Sequence, residues 1–219
     1  MAKKLKKQNE FGFGRVRSTN DYRRYKGRKS PGKVIVIVCE GEETEPNYFR
    51  ALRQKFRLSN LNVQVFPGKG APINVVNFAI DEKKKLGEPT DEVWCVLDTE
   101  SLANNPTLKT AVEKAKKSKI NLAISNPCFE YWYYIHFDES SRPFANGQEM
   151  KRELKTHIPD YNESMNVFPI LDSLTPTAMK NAEKLRKRSD ESWDIFPNPS
   201  TCVDKLVQEI IEIGQIKRY

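Results

Sequence analysis

A continuous apolar run, Val34 to Cys39, is followed at once by an acidic loop and a helix-forming segment. β-Branched residues that fill such a run without polar alternation are typical of a strand buried on both faces of a parallel sheet. Thr44 can cap the helix that follows, and Tyr48 and Leu52 are spaced to lie on one helical face. This order of strand, acidic loop and helix indicates an α/β fold.

The same alternation continues along the chain. Three further strands are predicted at Asn62–Phe66, Glu92–Leu97 and Ile120–Ile124. Helices are predicted between them, one over Ile73–Leu86 and one that runs to about Lys117 after a loop at residues 104–106. Strands that alternate with helices form parallel sheets covered by helices on both faces. We therefore predict a four-stranded, mainly parallel sheet flanked by helices.

From Asp138 onward the pattern changes to helices and loops without a convincing strand. Helices are predicted over Gln148–His157, Pro176–Lys187 and Ser200–Ile216. The last one has an apolar stripe, which is more simply explained by packing onto the sheet than by binding a partner helix. The predicted organisation is a basic, flexible arm (residues 1–32), an α/β domain (33–137) and a helical extension packed on the core (138–219).

The positive charge of the chain is concentrated at its N-terminus. Residues 1–33 contain twelve Lys and Arg residues and two acidic residues, which gives this segment a net charge of +10. The net charge of the whole chain is +8, so the remaining residues carry −2. Such an arm suits phosphate backbones, because each neutralised phosphate releases counterions. The predicted nucleic-acid contacts are Arg15, Arg17, Arg23, Arg24 and Arg28. The alternative is a solubilising or partly docked tail.

Cysteine usage and hydropathy restrict the cellular setting. The four cysteines form no CxxC pair and lie mostly in apolar segments, which indicates reduced, buried thiols and not a zinc site. No apolar stretch approaches the roughly 18 residues that span a bilayer, and no signal-peptide pattern follows the first residues. We expect a cytoplasmic protein without a membrane partner.

Acidic side chains follow two of the predicted strands. Glu40 comes directly after the first strand, and Asp98 and Glu100 follow the third, two residues apart. The carboxyl ends of parallel strands meet at one edge of a sheet, so these carboxylates can converge. Like charges in one place favour a bound cation, and oxygen ligands without His or Cys favour Mg²⁺ or Mn²⁺. The alternative is that each carboxylate is simply solvated at a strand end.

The fourth strand leads into the segment SNPCFEYWYYIHF. Ser125 or Asn126 is predicted as a helix cap, with Pro127 at the first helical position. Glu130 then lies in the first or second turn, either as a further carboxylate of the site or as a residue that stabilises the helix N-terminus. His136 falls on the apolar face of this segment and is interpreted as a core histidine.

The PGKGAP turn lacks the order of a phosphate-binding loop of nucleotide hydrolases, so nucleotide hydrolysis is not supported. Lys69 in this turn precedes a helix N-terminus, where a phosphate can bind. We therefore include Lys69 among the candidate nucleic-acid contacts.

Four segments, VIVIVCEGEETEPNYF, VWCVLDTES, SNPCFEYWYYIHF and NPSTCVDKLV, resemble the signature blocks of the RloB-like family over about residues 33–215. That family is associated with bacterial defence loci and is assigned a Toprim fold. The resemblance implies that Glu40 acts as an acid, base or metal ligand and that Asp98 and Glu100 bind Mg²⁺. Glu100 departs from the second Asp of the family's D-x-D pair. The resemblance also implies an ABC- or AAA-type ATPase partner.

Together these features predict a Mg²⁺-dependent nuclease, a toxic effector of antiviral defence that acts on RNA, with tRNA as one candidate, more readily than on DNA. Glu40, Asp98 and Glu100 are the predicted catalytic and metal-binding residues, with Glu130 in support. A second hypothesis is a non-catalytic nucleic-acid-binding module with a degenerate site. DNA strand passage or primase-like synthesis is less favoured, because the chain has no accompanying domain for a nucleophilic tyrosine.

Overall fold

The computed structural model describes residues 32–99, 106–188 and 197–216. Contacts within the chain group these described residues into one compact unit. The predicted basic arm lies outside the described residues except for Gly32, so its contacts with nucleic acid stay a prediction. The residues of this prediction that lie outside are Arg15, Arg17, Arg23, Arg24 and Arg28.

The described residues form one five-stranded sheet. Its strands are β1 (Ile35–Cys39), β2 (Val63–Phe66), β3 (Glu92–Asp98), β4 (Asn121–Asn126) and β5 (Ser200–Thr201), in the order β2-β1-β3-β4-β5. The first four strands pair in parallel, and the fifth pairs antiparallel with β4. The α/β class and the four parallel strands are confirmed.

The fifth strand corrects the prediction of a four-stranded sheet and of a C-terminal region without strands. Thr201 pairs with Ser125, and Ser200 pairs with Asn126. The hydroxyl oxygens of Ser125 and Thr201 lie 2.9 Å apart. A strand of two residues is too short to show an alternating pattern, so its sequence does not reveal it.

The two faces of β1 pack against different helices. Three helices connect the parallel strands: α1 (Thr44–Lys55), α2 (Pro72–Lys83) and α3 (Pro106–Lys117). Val34, Val36 and Val38 share a buried cluster with α2 and α3, whereas Ile35, Ile37 and Cys39 share another with α1. Alternate side chains of a strand point to opposite faces, so helices cover both sides of the sheet, as the uninterrupted apolar run predicts.

The remaining helices are α4 (Glu130–Tyr134), α5 (Gly147–Leu154), α6 (Phe168–Leu171), α7 (Thr175–Arg188) and α8 (Val203–Ile216). All five contribute buried residues to the cluster that contains Ile35 and Ile37. The helical extension therefore shares its core with the sheet. The apolar stripe predicted on α8 is buried there, apart from the partly buried Ile211. No helix in the described ranges is long and apolar enough to cross a bilayer.

Three predicted helix starts are wrong. Asn126 pairs with Ser200 in the sheet, so it cannot cap a helix, and α4 begins at Glu130 instead of Pro127. α8 begins at Val203 because the two residues predicted to open it belong to β5. Thr44 is the first residue of α1 and not its cap, a position that Glu43 occupies without a side-chain hydrogen bond to the helix.

Candidate active site

The acidic loop, residues 40–43, follows β1 and is held by backbone hydrogen bonds on two sides. The N–H of Glu40 donates to the carbonyl of Val96 at 3.2 Å, and the N–H of Gly68 donates to the carbonyl of Gly41 at 2.8 Å. Gly68 has φ of +63°, and a Cβ at this position would lie 2.8 Å from Cγ of Glu42. The glycine-rich turn therefore packs closely against the acidic loop.

Lys69 lies in this turn, and its side chain is directed to an aromatic ring. Its backbone N–H donates to the carbonyl of Cys39 at 3.3 Å. Its Nζ lies 4.2 Å from the centre of the Phe78 ring, a cation–π contact. Lys69 is not among the residues that line the cavity described below. A phosphate contact through Lys69 stays a prediction.

Glu40 and Asp98 lie side by side at the carboxyl edge of the sheet. The backbone N–H of Asp98 donates to Oε2 of Glu40 at 3.2 Å. β1 and β3 are neighbours, and Cys39 pairs with Val96. The two strands therefore end at the same edge of the sheet. Both side chains are half-buried, and both line one cavity of about 310 Å³. The structure thus brings together two of the three predicted metal ligands, and Glu100 lies outside the described residues.

The cavity is strongly acidic. Its described lining residues include seven carboxylates: Glu40, Glu42, Glu43, Glu45, Asp98, Glu130 and Glu163. One amine, Lys151, accompanies them in the described lining. Such a concentration of negative charge with little compensation attracts cations and repels phosphate groups.

Glu45 is a member of this group that the sequence interpretation treated only as a helix residue. It lies in the first turn of α1, is buried, and its Oε1 accepts a hydrogen bond from the N–H of Gly41 at 3.3 Å. Burial raises the pKa of Glu45, and the negative charges of Glu130 and Glu163 raise it further. The signal that could have identified it is a carboxylate in the first turn of the helix that follows β1 and Glu40.

Glu130 is the first residue of α4 and is almost fully buried. The hydroxyl of Tyr161 donates to its Oε1 at 2.8 Å, and Nζ of Lys151 lies 3.5 Å from the same oxygen. Burial and the adjacent Glu130 raise the pKa of Tyr161, so its phenol stays a hydrogen-bond donor. The position of Glu130 in the cavity favours the interpretation as a further carboxylate of the site over that of a helix-stabilising residue alone.

Three lining or supporting residues come from the helical extension: Lys151, Tyr161 and Glu163. Lys151 lies on α5, and its Nζ is 2.5 Å from Oε1 of Glu163. Burial lowers the pKa of Lys151, but Glu130 and Glu163 raise it by more, so the net pKa lies above the ordinary value. The sequence interpretation missed these residues because they follow no strand. Only tertiary packing brings them to the sheet edge.

His136 and the cysteines take no part in the described lining. His136 is buried, with Nδ1 2.8 Å from the carbonyl oxygen of Trp132, and burial lowers its pKa to about 4. Its interpretation as a core histidine is confirmed. The four cysteines are buried and reduced, and burial raises the pKa of each thiol.

The carboxylates fit a hard divalent cation by donor type, since oxygen ligands suit Mg²⁺ and Mn²⁺. Among the described residues, no three His, Cys, Asp or Glu side chains are placed closely enough to hold a metal ion as they stand. Glu40 and Asp98 supply two of the predicted ligands, and the third falls in the segment between residues 99 and 106. The described residues therefore form part of the predicted ligand set.

Comparison with known proteins gives one match. The family model of RloB-like proteins matches residues 35–210, which run from β1 into α8 and include Glu40, Asp98, Glu130 and Lys151. No significant match was found among curated proteins or among solved structures.

Proposed function

The chain belongs to the RloB-like protein family, and on this basis we propose that it is a Mg²⁺- or Mn²⁺-dependent nuclease that acts on RNA more readily than on DNA. The observation that carries the proposal is the pairing of Glu40 with Asp98 at the edge of the sheet, inside a cavity lined by seven described carboxylates. The preference for RNA rests on the family resemblance.

The acidity of the cavity supports a cation-dependent reaction. A phosphodiester is an anion, and carboxylates that surround it without a counter-charge would repel it. Glu40 and Asp98, with Glu100, would hold the divalent ion. That ion would supply the positive charge that stabilises the reacting phosphate.

Protein groups orient the carboxylates of the site. The backbone N–H of Asp98 holds one oxygen of Glu40, and the hydroxyl of Tyr161 holds one oxygen of Glu130. Hydrogen bonds of this kind fix the direction of a ligand and restrict its rotation. Glu130 would support the site from α4, since it lines the same cavity as the loop that follows β1.

The proposal is tested by incubating the purified full-length chain with total RNA and with plasmid, in Mg²⁺, in Mn²⁺ or in EDTA. We expect cleavage of RNA with either metal and none in EDTA. Asp98→Asn should abolish cleavage, while Glu113→Gln should retain it, because Glu113 is exposed on α3 and away from the cavity lining. Intact RNA and plasmid with metal, both with and without the partner ATPase, would contradict the proposal.

The second candidate is a non-catalytic nucleic-acid-binding module. The observation that favours it is that no three described side chains form a metal-binding group as they stand. This candidate predicts that the chain binds RNA with equal affinity in Mg²⁺ and in EDTA. It also predicts that calorimetry detects no binding of Mg²⁺ and that Glu40→Ala causes no phenotype in cells.

We propose from the family resemblance that the nuclease is a toxic defence effector controlled by an ATPase. Expression of the chain alone should then slow cell growth, and Asp98→Asn should restore it. Expression together with an ATPase encoded beside it should suppress the toxicity of the unaltered chain. Equal growth of cells that express the chain and its Asp98→Asn variant would contradict an effector role.

A further inference from the structure

Lys151 is the one amine among the described residues that line the acidic cavity. It is held between two carboxylates, with Nζ 3.5 Å from Oε1 of Glu130 and 2.5 Å from Oε1 of Glu163. The two partners differ in burial. The Glu130 side chain is 4% exposed and that of Glu163 is 57% exposed, with Lys151 between them at 35%. The amine therefore has a buried inner partner, Glu130, and a solvent-exposed outer partner, Glu163.

The two ion pairs differ in how readily they separate. Water screens a pair with an exposed carboxylate, so such a pair contributes little and is easily exchanged. A buried carboxylate that loses its cation is left desolvated and unpaired, which is strongly unfavourable. An incoming anion can therefore replace Glu163 while Glu130 keeps Lys151 at the edge of the cavity.

We propose that Lys151 contacts a phosphate of the nucleic-acid substrate as the substrate enters the cavity, so that the helical extension completes the substrate-binding site. This inference rests on the proposed function in one respect, namely that a nucleic acid enters this cavity. A lysine ammonium is a compact charge with three donors and suits a phosphate oxygen. Glu40 and Asp98 would hold the divalent ion on the sheet side of the cavity, and Lys151 would contact the phosphate from α5.

The carboxylate neighbours keep Lys151 protonated. Burial lowers the pKa of Lys151, but Glu130 and Glu163 raise it by more, so the ammonium form persists at neutral pH. Lys151 therefore acts by charge and hydrogen-bond donation and not as a base. A role limited to neutralising Glu130 is the alternative, and it predicts no effect on substrate affinity once the protein is folded.

The test compares Lys151→Met, Lys151→Arg and the matched control Lys155→Met in the full-length chain. Lys155 is exposed at the end of the same helix and does not line the cavity. The measurements are kcat and KM for RNA cleavage in Mg²⁺, the affinity for the same RNA in Ca²⁺ at several salt concentrations, and the melting temperature.

Lys151→Met should weaken RNA binding roughly tenfold, raise KM accordingly and reduce the slope of log Kd against log salt by about 1, the effect of one lost phosphate contact. Lys151→Arg should recover most of the affinity, and Lys155→Met should stay within about twofold of the unaltered chain. Glu163→Gln releases the outer partner and should tighten RNA binding roughly twofold to threefold. This variant keeps the test decisive if Lys151→Met does not fold.

An unchanged affinity and salt slope in folded Lys151→Met, or weaker binding by Glu163→Gln, would overturn the phosphate contact. If the chain cleaves RNA equally well with Met at position 151, this inference fails and the nuclease proposal stands. If the chain binds RNA through Lys151 but does not cleave it, the nuclease proposal fails and the contact stands. Absence of RNA binding by the unaltered chain would overturn both.

Discussion

The carboxylate of Glu40 accepts a hydrogen bond from the backbone N–H of Asp98, with 3.2 Å between Oε2 and the nitrogen. This bond joins the residue that follows β1 to the last residue of β3. It directs the Glu40 side chain along the edge of the sheet, towards the position where the Asp98 side chain leaves it. The geometry of the candidate site therefore depends on a contact between two adjacent parallel strands.

Glu40→Gln should remove the negative charge of Glu40 and keep the hydrogen bond from Asp98. The amide oxygen of Gln can still accept from the N–H of Asp98, but the negative charge is lost. We expect cleavage to fall by about 100-fold or more, the order seen when one group that stabilises transition-state charge is removed. The melting temperature should be unchanged or higher. Single-turnover cleavage and thermal unfolding measure the two effects, and full activity would show that Glu40 is dispensable.

Tyr161→Phe should destabilise the fold through Glu130. It removes a 2.8 Å hydrogen bond to a buried carboxylate, and such bonds to charged groups contribute about 1.5–3 kcal/mol. The matched control is Tyr134→Phe, because Tyr134 donates to Asp138, an exposed carboxylate. We expect the control to cost under about 1 kcal/mol. Chemical unfolding gives both values, and equal costs would contradict a specific role for the bond to Glu130.

Glu45→Gln should stabilise the chain at neutral pH. The folded-state pKa of Glu45 is raised above its usual 4.5 by burial and by neighbouring carboxylates. A raised carboxyl pKa favours the folded state below the unfolded pKa, and this contribution is lost as pH rises through the folded pKa. Gln should therefore raise the free energy of unfolding at pH 7, and a gain of about 1 kcal/mol would raise the melting temperature by about 2–4 °C.

This gain should shrink as the pH falls through the raised folded-state pKa of Glu45, because the carboxyl group of the unaltered chain then takes up a proton. Glu43→Gln, at an exposed position of the acidic loop just before α1, should change stability by no more than about 0.5 kcal/mol at neutral or acidic pH. A Glu45→Gln chain that is less stable than the original at pH 7 would show that the carboxylate is held favourably in its charged form.

His136 should make the fold sensitive to mild acid. Burial lowers its folded-state pKa to about 4, below the ordinary histidine value of 6.5. A depressed histidine pKa means that the unfolded chain takes up a proton first, so stability present above pH 6.5 is lost as the pH falls. Between pH 7 and pH 5 this amounts to about 2 kcal/mol.

His136→Asn should flatten this dependence, although it lowers stability overall because the side chain is smaller. His157 is the other histidine of the chain and is exposed, so His157→Gln should keep the pH dependence of the unaltered chain. Denaturant unfolding at pH 5, 6 and 7 measures the slope. An equal slope in the chain with Asn at position 136 would assign the acid sensitivity to other groups.

The sheet could be predicted because its strands have simple patterns. β1 and residues 93–97 of β3 are apolar without interruption, so these strands must lie inside a parallel sheet, and the ends of such strands meet at one edge. That geometry was enough to predict that Glu40 and Asp98 converge. β5 could not be predicted, because Ser200 and Thr201 become a strand only through pairing with the end of β4.

The second half of the cavity could not be predicted for a related reason. Lys151, Tyr161 and Glu163 belong to the helical extension. Lys151 reaches the cavity because α5 packs against α4, and Tyr161 is joined to Glu130 by its hydrogen bond. Their sequence neighbourhood shows a charged helix face and a polar loop, which are ordinary surface features. Glu45 was interpreted through its place in a helix, although burial of a first-turn carboxylate beside Glu40 depends on how α1 meets the sheet.

Titration of the purified chain with Mn²⁺, followed by calorimetry and by the paramagnetic resonance of unbound Mn²⁺, tests the central claim most directly. We expect saturable binding to the unaltered chain, competition by Mg²⁺, and loss of this binding in Glu40→Gln and in Asp98→Asn, with Glu113→Gln as the control that retains it. Absence of Mn²⁺ binding, or binding that is unaffected by both substitutions, would contradict a divalent-ion site at this edge of the sheet.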